Sequence, residues 1–564
     1  MTAQPWRMRR PVPAGAAPWA GLERDWGLSA PAARLAWMRE PGQAGDLAWR
    51  LDPSWARSTD PCLLEGVTAA VARIRQALER HEAICVYGDY DVDGVTATAL
   101  LVRVLEKLGG RVGFFIPNRF NDGYGLHLDC IRELAGERGP ALMVSVDCGV
   151  RSVAEVEASR ALGLDWIITD HHAVGPELPR AAAVVHPALG GYANPHLAGV
   201  GVAFKLAQAL LDAAPVPRAE DQPFLDGLLK LVALGTVADM VPLCGENALL
   251  VKRGLLAMAG ANGPGLAELL KAARVEGAVR AQHIGFGVGP RLNAVGRMGG
   301  AEDAVRLLLT RDAREAGTLM ARVEALNLER REIQKALSLQ LPAPGDAPFD
   351  LVLEPGAHKG VIGIVAGQRM RITGRPAGVG TVLDGIAHCS LRAPEGYDLR
   401  PALDLVRPYI LAGGGHRYAA GLTFPMGRLG FIRKTLEGVA RDQAAEAQAA
   451  PGAPAEGTAL LVDGAGTGLA PSQAELERME PFGSAFPEPL LVVAGRLAGP
   501  VRSFGEGHRK FRLQGEPHEF TLFASGAGPE DLDGELCLAV APLDSGRWGR
   551  SWRVERFLAP AGAP

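Results

Sequence analysis

Four short apolar runs dominate the hydrophobic pattern of the first half of the chain, and each ends in acidic or histidine residues. They cover residues 83–87, 142–146, 166–169 and 231–238. Runs of this length that alternate with helical stretches are typical of buried parallel strands. Ligands of such sheets bind beyond the carboxyl ends of the strands, so at least the first three polar clusters should meet in one crevice.

The same pattern predicts how the chain is organised. Helical spacing with few breakers favours a connecting helix or helix pair in the middle of the chain, and short alternating runs near the end favour a β-barrel. The predicted division is an N-terminal extension over 1–60, a doubly wound parallel-sheet α/β domain over 61–300, a connecting helix or helix pair over 301–341, a smaller α/β domain over 342–442, a linker over 443–457 and an OB-like barrel over 458–564.

Composition narrows the class of protein. The formal net charge of -4 excludes a uniformly basic nucleic-acid binder but leaves local basic patches open. The seven cysteines include no C-x-x-C pair, so neither a zinc ribbon nor a disulfide framework is indicated. No apolar stretch approaches the ~20 residues of a membrane span. Since no apolar segment follows the N-terminal arginines either, a cytoplasmic protein is expected.

Three carboxylates stand at alternate positions after the first apolar run, at Asp89, Asp91 and Asp93. In an extended loop they would share one side and repel one another unless a cation neutralised them. An EF-hand also begins D-x-D-x-D-G, but its twelfth position must be Glu, and that position is Leu100. One helix cap is needed here. We assign it to Asp93 and metal binding to Asp89 and Asp91.

The sequence Asp170-His171-His172 follows the third run directly, and Asp147 follows the second. An isolated pair of histidines is usually a surface turn. Its position after a buried strand, beside the end of the preceding strand, favours metal ligands instead. Asp239, after the fourth run, is uninformative when taken alone.

The combined pattern Y-G-D-Y-D-V-D-G, V-D-C-G, T-D-H-H and G-T-V-A-D-M-V-P-L closely resembles the DHH phosphoesterase superfamily. Further segments at 116–119, 123–126, 197–205, 290–298 and 413–416 are similar to its bacterial exonucleases that degrade single-stranded DNA from the 5′ end. The resemblance covers about residues 60 to 555. It implies a metal-dependent nuclease of DNA repair and recombination with a DHHA1-type second domain.

The resemblance also implies a role for each polar residue of the clusters. Asp147 would bridge two Mn²⁺ or Mg²⁺ ions, with Asp89 on one ion and Asp91, His171 and Asp239 on the other. His172, Asp170 and Asp93 would complete the catalytic set: His172 would meet the scissile phosphate or leaving oxygen, and Asp170 would orient a histidine ring. Carboxylate and imidazole ligands suit Mn²⁺, and paired ions favour in-line displacement at phosphorus.

One position departs from the superfamily. Where a histidine usually stands two residues before the first aspartate, this chain has Tyr87. A neutral phenol is a poor ligand, so the ion at Asp89 would be weaker, completed by water, or recruited with the DNA phosphate.

Contacts to DNA are also implied. Ser390 and Arg392 match an S-x-R element that, with Arg119 and Arg297, would bind a terminal 5′-phosphate through bidentate guanidinium contacts. The alternative for each arginine is a surface ion pair. Further DNA or phosphate contacts are predicted at Arg291, Asn293, Gly415 and His416, with Tyr124 as an additional candidate.

The predicted barrel mixes cations with aromatic residues, including Arg509, Lys510 and Phe511. Single-strand binding uses cations for the backbone and ring faces for the bases. An ordinary solvated barrel face is the alternative.

Two other functions stay open at this point. One is a DHH oligoribonuclease or nucleotide phosphatase, which is shorter and lacks the C-terminal barrel. The other is a catalytically silent replication scaffold, which loses the metal ligands. Single-stranded DNA, a single-strand-binding protein and a RecQ-type helicase are the partners that the resemblance implies for a monomeric enzyme, with no membrane partner.

Overall fold

The computed structural model describes residues 6–10, 17–39, 45–119, 125–136, 139–213, 221–449, 460–465, 471–505, 507–516, 518–523, 535–543 and 551–558. The first α/β unit is built on a five-stranded parallel sheet. In spatial order its strands are Arg111–Phe115, Ala83–Tyr87, Leu142–Val146, Asp165–Thr169 and Ala183–Val185. The strands predicted from the first three apolar runs are therefore confirmed, and their carboxyl ends lie at one edge.

Helices cover this sheet and continue beyond it. They are Val67–Glu79, Val92–Lys107, Leu128–Leu134, Val153–Arg160, Gly199–Asp212, Asp221–Ala238, Gly245–Met258, Pro264–Ala272 and Gly289–Met298. The fourth apolar run is part of helix Asp221–Ala238, so the strand prediction for it was wrong. That helix packs between neighbouring helices and buries Leu231, Val232 and Leu234, so its sequence is apolar on most sides. An apolar run alone does not distinguish such a helix from a buried strand.

The connecting region is a helix pair, one of the two forms that the sequence left open. Helix Glu302–Leu309 is followed by the 28-residue helix Ala313–Gln340. The break between them is set by Asp312, whose side chain caps the second helix by accepting hydrogen bonds from the backbone N–H groups of Arg314 and Glu315.

The second α/β unit contains another five-stranded sheet, this one mixed. Its strands in spatial order are Ala412–His416, Ala419–Pro425, Ile386–Arg392, Ala377–Leu383 and Asp350–Leu353. Helix Lys359–Thr373 packs on one face, and helices Arg400–Val406 and Leu429–Ala449 contribute to the core on the other. The glycine-rich stretch at 412–416 is thus an exposed edge strand rather than a bare turn.

The C-terminal region is a seven-stranded sheet. Its strands are Gly464–Ala465, Leu491–Arg496, Arg502–Phe504, His508–Arg512, Glu519–Leu522, Glu535–Leu543 and Ser551–Phe557. An isolated bridge between Leu497 and Leu513 links two strands that are not neighbours in the sheet, which curls it toward a closed form. This agrees with the predicted barrel, while its OB-type character stays a prediction.

The N-terminal segment is joined to the C-terminal region, which sequence reasoning did not foresee. Strand Trp6–Met8 pairs with Leu460–Val462, and helices Ala20–Trp26 and Ala30–Arg39 lie in a cluster that includes Leu476 and Met479. Among the described residues, none of the helices has both the length and the apolar character that crossing a bilayer requires.

Candidate metal centre

The loop after strand Ala83–Tyr87 carries the three alternating aspartates. Asp91 is the helix cap, because its Oδ1 accepts hydrogen bonds from the backbone N–H groups of Asp93 at 2.9 Å and Gly94 at 3.2 Å. The prediction that Asp93 would cap the helix was wrong. The helix begins at Val92, two residues earlier than a cap at Asp93 would require, and this places Asp91 in the capping position.

Asp93 instead joins this loop to a second helix. Its carboxylate accepts hydrogen bonds from the backbone N–H groups of Gly199 at 2.7 Å and Val200 at 2.8 Å, at the start of helix Gly199–Asp212. Gly199 must be glycine, because a Cβ there would lie 2.6 Å from Oδ1 of Asp147. Asp93 and Asp147 are therefore brought to the same helix terminus.

Asp147 adopts a left-handed backbone conformation with φ of 63°. Its N–H donates to the carbonyl of Thr169 at 3.0 Å, which ties the turn to the end of the neighbouring strand. Non-glycine residues held in this region store strain of about 1–3 kcal/mol and often lie at functional sites. Here the strained turn places Oδ1 of Asp147 at 3.1 Å from Nε2 of His171.

Asp170 organises the histidine turn. Its Oδ1 accepts hydrogen bonds from the N–H groups of His171 and His172, and the Nδ1 of His172 lies 2.8 Å from the same oxygen. Burial alone would raise the pKa of Asp170, but the hydrogen bond and charge of His172 lower it to about 2. Burial likewise opposes protonation of His172, yet Asp170 raises the pKa of His172 to about 9. The ring that Asp170 orients is thus His172, as a charged imidazolium.

His171 has the opposite character. Burial, and then the positive charge of His172, lowers its pKa to about 3, so its imidazole is neutral. Its Nε2 lies 3.1 Å from Asp147, 3.6 Å from Asp239 and 3.7 Å from Asp93 and makes no hydrogen bond to any described residue. A buried neutral nitrogen that faces three carboxylates is suited to binding a metal.

The carboxylates share a large electrostatic cost. Burial and mutual repulsion raise the pKa of Asp89 and Asp147 well above the ordinary range, that of Asp93 to about 7 and that of Asp239 to about 8. The buried Oδ1 of Asp89 accepts no hydrogen bond from any described residue. Cations placed among these groups would neutralise the repulsion and would bind the Oδ1 of Asp89.

Three sets of side chains could each hold a metal ion, because the ligand atoms within each set lie within 4.8 Å of one another. One set is Asp89, Asp91 and Asp147, another is Asp93, His171 and Asp239, and the third is Asp147, His171 and His172. The donors fit two cations that share Asp147. The distances group Asp91 with Asp89, and Asp93 with His171 and Asp239, which differs from the division that the resemblance implied.

Tyr87 lies away from this cluster. Its ring is fully buried beside Phe115 and Trp166, and its hydroxyl donates to the carbonyl of Gly125 at 3.3 Å. The Tyr87 hydroxyl therefore lies outside the candidate ligand sets. As the last residue of its strand, it points into the apolar layer that also contains Cys85 and Met143.

The predicted phosphate contacts Arg119, Arg297 and Arg392 are brought together. Burial and then the charges of Arg119 and Arg392 lower the pKa of Arg297 to about 10. Arg392 donates to the hydroxyl of Ser390 at 3.0 Å, and Arg297 donates to the carbonyl of Gly360 at 3.2 Å. In the described part of the chain none of the three arginines forms an ion pair, so the alternative of surface ion pairs does not account for them.

The other predicted contacts have varied surroundings. Arg291 forms an ion pair with Glu324 at 2.8 Å, so the ion-pair alternative applies to this residue. Asn293 is half-buried one turn before Arg297 on helix Gly289–Met298. Tyr124 lies outside the described residues.

Gly415 and His416 end the exposed edge strand. Burial and then the charges of Arg392 and His172 lower the pKa of His416, so this ring lies near both the arginine cluster and the metal centre. Gly415 has φ of 156°, and a Cβ there would meet the carbonyl of Ala419 at 2.3 Å. Only glycine is accommodated at this point.

The prediction that Phe511 of the barrel stacks on bases is wrong. Phe511 is 2% exposed and belongs to the barrel core. It alternates along strand His508–Arg512 with Lys510, which faces Glu519 at 3.6 Å. Arg509 lies on the same strand. The exposed ring is Phe504, which lies on the neighbouring strand Arg502–Phe504 and packs against His508. Period-two alternation along strand His508–Arg512 places Phe511 on the buried face.

Known proteins agree with this architecture. A family model described as the DHH family, N-terminal domain, matches residues 83–236, and one described as the DHHA1 domain matches residues 348–442. A protein of Dickeya dadantii named single-stranded-DNA-specific exonuclease RecJ is 38% identical over 80% of this chain and 82% of its own length. The chain belongs to the RecJ family.

A Bacillus subtilis RecJ is 38% identical over 89% of this chain, which spans only 64% of that relative's length. The crystal structure of RecJ from Thermus thermophilus in complex with Mn²⁺ has a TM-score of 0.81 to this chain at 30% identity. It covers 99% of this chain, which in turn covers 80% of that structure. The agreement therefore extends through the described N- and C-terminal regions as well as the central RecJ core.

Proposed function

We propose that this chain is a divalent-metal-dependent exonuclease that hydrolyses single-stranded DNA from the 5′ end. The observation that carries the proposal is the proximity of two groups of side chains, since Arg119 lies close enough to influence Asp89, and Asp91 to influence Arg297. A buried carboxylate and histidine cluster lies near a group of arginines that have no acidic partner among the described residues. RecJ relatives that share most of this chain are named single-stranded-DNA-specific exonucleases.

Two Mn²⁺ or Mg²⁺ ions fit the cluster. Asp89, Asp91 and Asp147 would hold one, while Asp93, His171 and Asp239 would hold the other with Asp147 shared. Carboxylate oxygens and neutral imidazole are suitable donors for Mn²⁺. When bound, such ions would supply activation of water and stabilisation of charge at phosphorus.

His172 supplies a positive charge at the same place. Its side chain is 42% exposed while its Nδ1 is held by Asp170, so the other ring nitrogen can face a substrate. A fixed imidazolium can donate a hydrogen bond to a phosphate oxygen or to the leaving oxygen. Asp170 keeps it protonated and oriented.

The arginine cluster gives the enzyme its polarity in this proposal. Arg119, Arg297 and Arg392, with the hydroxyl of Ser390, would bind the terminal 5′-phosphate. The end of the strand would then lie at a fixed distance from the metals, which by themselves would accept any phosphodiester.

We further infer that the enzyme acts in the cytoplasm, where the chromosome lies, as a monomer. A helicase of the RecQ type would supply single strands, and a single-strand-binding protein would coat them. These partners are the ones that the family resemblance implies.

The test uses a single strand labelled either at its 5′ or at its 3′ end. With Mn²⁺ or Mg²⁺ the 5′ label should be released first as a mononucleotide, while the 3′-labelled strand shortens progressively. EDTA should abolish both reactions, and a blunt duplex should resist. Release of the 3′ label first, or cleavage in EDTA, would contradict the proposal. Preference for short RNA or nucleotide bisphosphates would favour a DHH oligoribonuclease or phosphatase, and complete inactivity would favour the silent scaffold.

A further inference from the structure

Tyr90 stands between Asp89 and Asp91 in the loop that carries these two candidate metal ligands. It belongs neither to the ligand sets nor to the arginine cluster. The side chain is half-buried, and in the described part of the chain its hydroxyl has no hydrogen-bond partner. Tyrosine hydroxyls usually find a partner when they leave solvent. This one is therefore available to a ligand.

The ring of Tyr90 lies against the guanidinium group of Arg119. The guanidinium carbon is 4.9 Å from the ring centroid. A cation at this distance is attracted by the negative face of the ring. Because Arg119 forms no ion pair with a described residue, the ring face helps to orient its guanidinium group.

The backbone of Tyr90 contacts the helix that carries Arg297. A Cβ on Gly296 would lie 2.3 Å from the carbonyl oxygen of Tyr90, so glycine allows helix Gly289–Met298 to approach the loop this closely. Arg297 is the next residue on that helix. Tyr90 is thus placed between two members of the arginine cluster, one at its ring and one beside its backbone.

The hydroxyl of Tyr90 is close to both guanidinium groups. Burial, and then the charge of Asp89, raise the pKa of this hydroxyl, while the charges of Arg119 and Arg297 oppose the rise. A phenol is neutral in ordinary buffers and donates one hydrogen bond. An anion that the two arginines attract would therefore meet a third, uncharged donor at the same place.

We propose that Tyr90 is a further phosphate-binding residue, whose hydroxyl donates a hydrogen bond to the terminal 5′-phosphate of the substrate. This inference rests on the proposed function, since the anion is the 5′ end of the DNA strand. Tyr90 also lies directly between two ligands of one metal ion. Its contact would therefore fix the distance between the terminal phosphate and that ion, and with it the position of the scissile bond.

The experiment measures binding of 5′-phosphorylated and 5′-hydroxyl oligo-dT to the full chain by fluorescence anisotropy. The fluorophore is at the 3′ end, and no metal is added, so that no strand is cut. Tyr90→Phe keeps the ring and removes the hydroxyl. It should reduce the preference for the phosphorylated strand by about tenfold, because a hydrogen bond to a charged group is lost. Tyr90→Leu also removes the ring beneath Arg119 and should reduce the preference by about threefold more.

Tyr409 provides a matched control. Its ring also carries an arginine, Arg428 at 5.6 Å, but it belongs to neither the metal centre nor the arginine cluster. Tyr409→Phe and Tyr409→Leu should keep the wild-type preference within about twofold. A second readout is thermal unfolding with Mn²⁺. The rise in Tm should be the same for the Tyr90 variants as for wild type, because no metal ligand is changed.

An unchanged preference for the phosphorylated strand in Tyr90→Phe would overturn the proposal. Equal losses on both strands, together with a smaller rise in Tm on addition of Mn²⁺, would also overturn it, since Tyr90 would then only maintain the shape of the loop. If wild type itself binds both strands equally, the terminal-phosphate site fails and the Tyr90 contact fails with it. That result is distinct from a failure confined to Tyr90, in which wild type prefers the phosphorylated strand and the variants do so equally.

Discussion

Asp147 is fully buried, left-handed in its backbone and 3.1 Å from the imidazole of His171. Burial costs the desolvation of a charge, the left-handed turn costs strain, and the neighbouring carboxylates repel the Asp147 charge. Two bound cations would offset the electrostatic part. The residue is therefore the place where metal binding and stability should be most closely coupled.

Replacement of Asp147 by asparagine tests this coupling. Asparagine tolerates the left-handed conformation but carries no charge. We expect Asp147→Asn to lower the nuclease rate by about three orders of magnitude or more while the protein stays folded. In thermal unfolding, Mn²⁺ should raise the Tm of wild type and have little effect on the variant. Near-normal hydrolysis by the folded variant would contradict the shared-ligand assignment.

Arg392 tests the origin of polarity. Arg392→Ala should weaken binding of 5′-phosphorylated single strands relative to 5′-hydroxyl strands by about 1.5–3 kcal/mol, because a charged hydrogen bond is lost. The matched control is Arg291→Ala, whose guanidinium is already paired with Glu324 and should not distinguish the two substrates. Equal losses on both strands for Arg392→Ala, in parallel binding assays, would make it a general backbone contact.

At the scale of elements, the site depends on where two helices begin. The helix from Val92 starts at Asp91, and the helix from Gly199 starts against the carboxylate of Asp93. Both helix N-termini therefore point at the carboxylate cluster, and their partial positive charge lowers the cost of gathering these acids.

Asp91 serves both a helix and the cluster, and two variants separate these roles. Asp91→Asn keeps a capping oxygen but loses the charge, so stability should be maintained while the Mn²⁺ concentration for half-maximal activity rises. Asp91→Ala loses both and should also reduce the free energy of unfolding by about 0.5–2 kcal/mol. Measurements are denaturant unfolding without metal and Mn²⁺ titration of activity. Equal stability of the two variants would show that the cap contributes little.

The sequence could predict the elements that simple periodicity defines. Short apolar runs predict three strands and the convergence of the acids that follow them. These strands are Ala83–Tyr87, Leu142–Val146 and Asp165–Thr169. The sequence did not predict helix Asp221–Ala238, because a helix that is buried on most sides lacks the periodic polar residues by which a helix is recognised. The sequence also did not predict that Asp91 caps the helix while Asp93 binds the second helix, since this depends on a difference of two residues in where the helix starts.

For the whole molecule, the least predictable feature is the contact between the N-terminal segment and residues 460–490. Asp463 accepts hydrogen bonds from Arg9 at 2.8 Å, from Arg39 at 3.0 Å and from the backbone of Leu490. Arg39 also donates to the carbonyls of Pro487 and Glu488. No local sequence pattern predicts a contact between residues more than 400 positions apart. It nevertheless fixes the N-terminal helices against the region that precedes the barrel.

The Asp463 contact should be worth much more than a surface ion pair. The side chain of Arg39 is 2% exposed, so Asp463→Ala would leave a buried charge without its carboxylate, at a cost of about 3–5 kcal/mol. The matched control is Asp404→Ala, which breaks an exposed pair with Arg407 and should cost less than about 1 kcal/mol. Thermal and denaturant unfolding of the full chain would measure both. Because neither residue lies near the metal centre, the nuclease rate per folded molecule should match wild type in both variants. A small loss of unfolding free energy for Asp463→Ala would mean that the N-terminal helices are held by the apolar cluster around Leu476 and Met479 rather than by the buried charges.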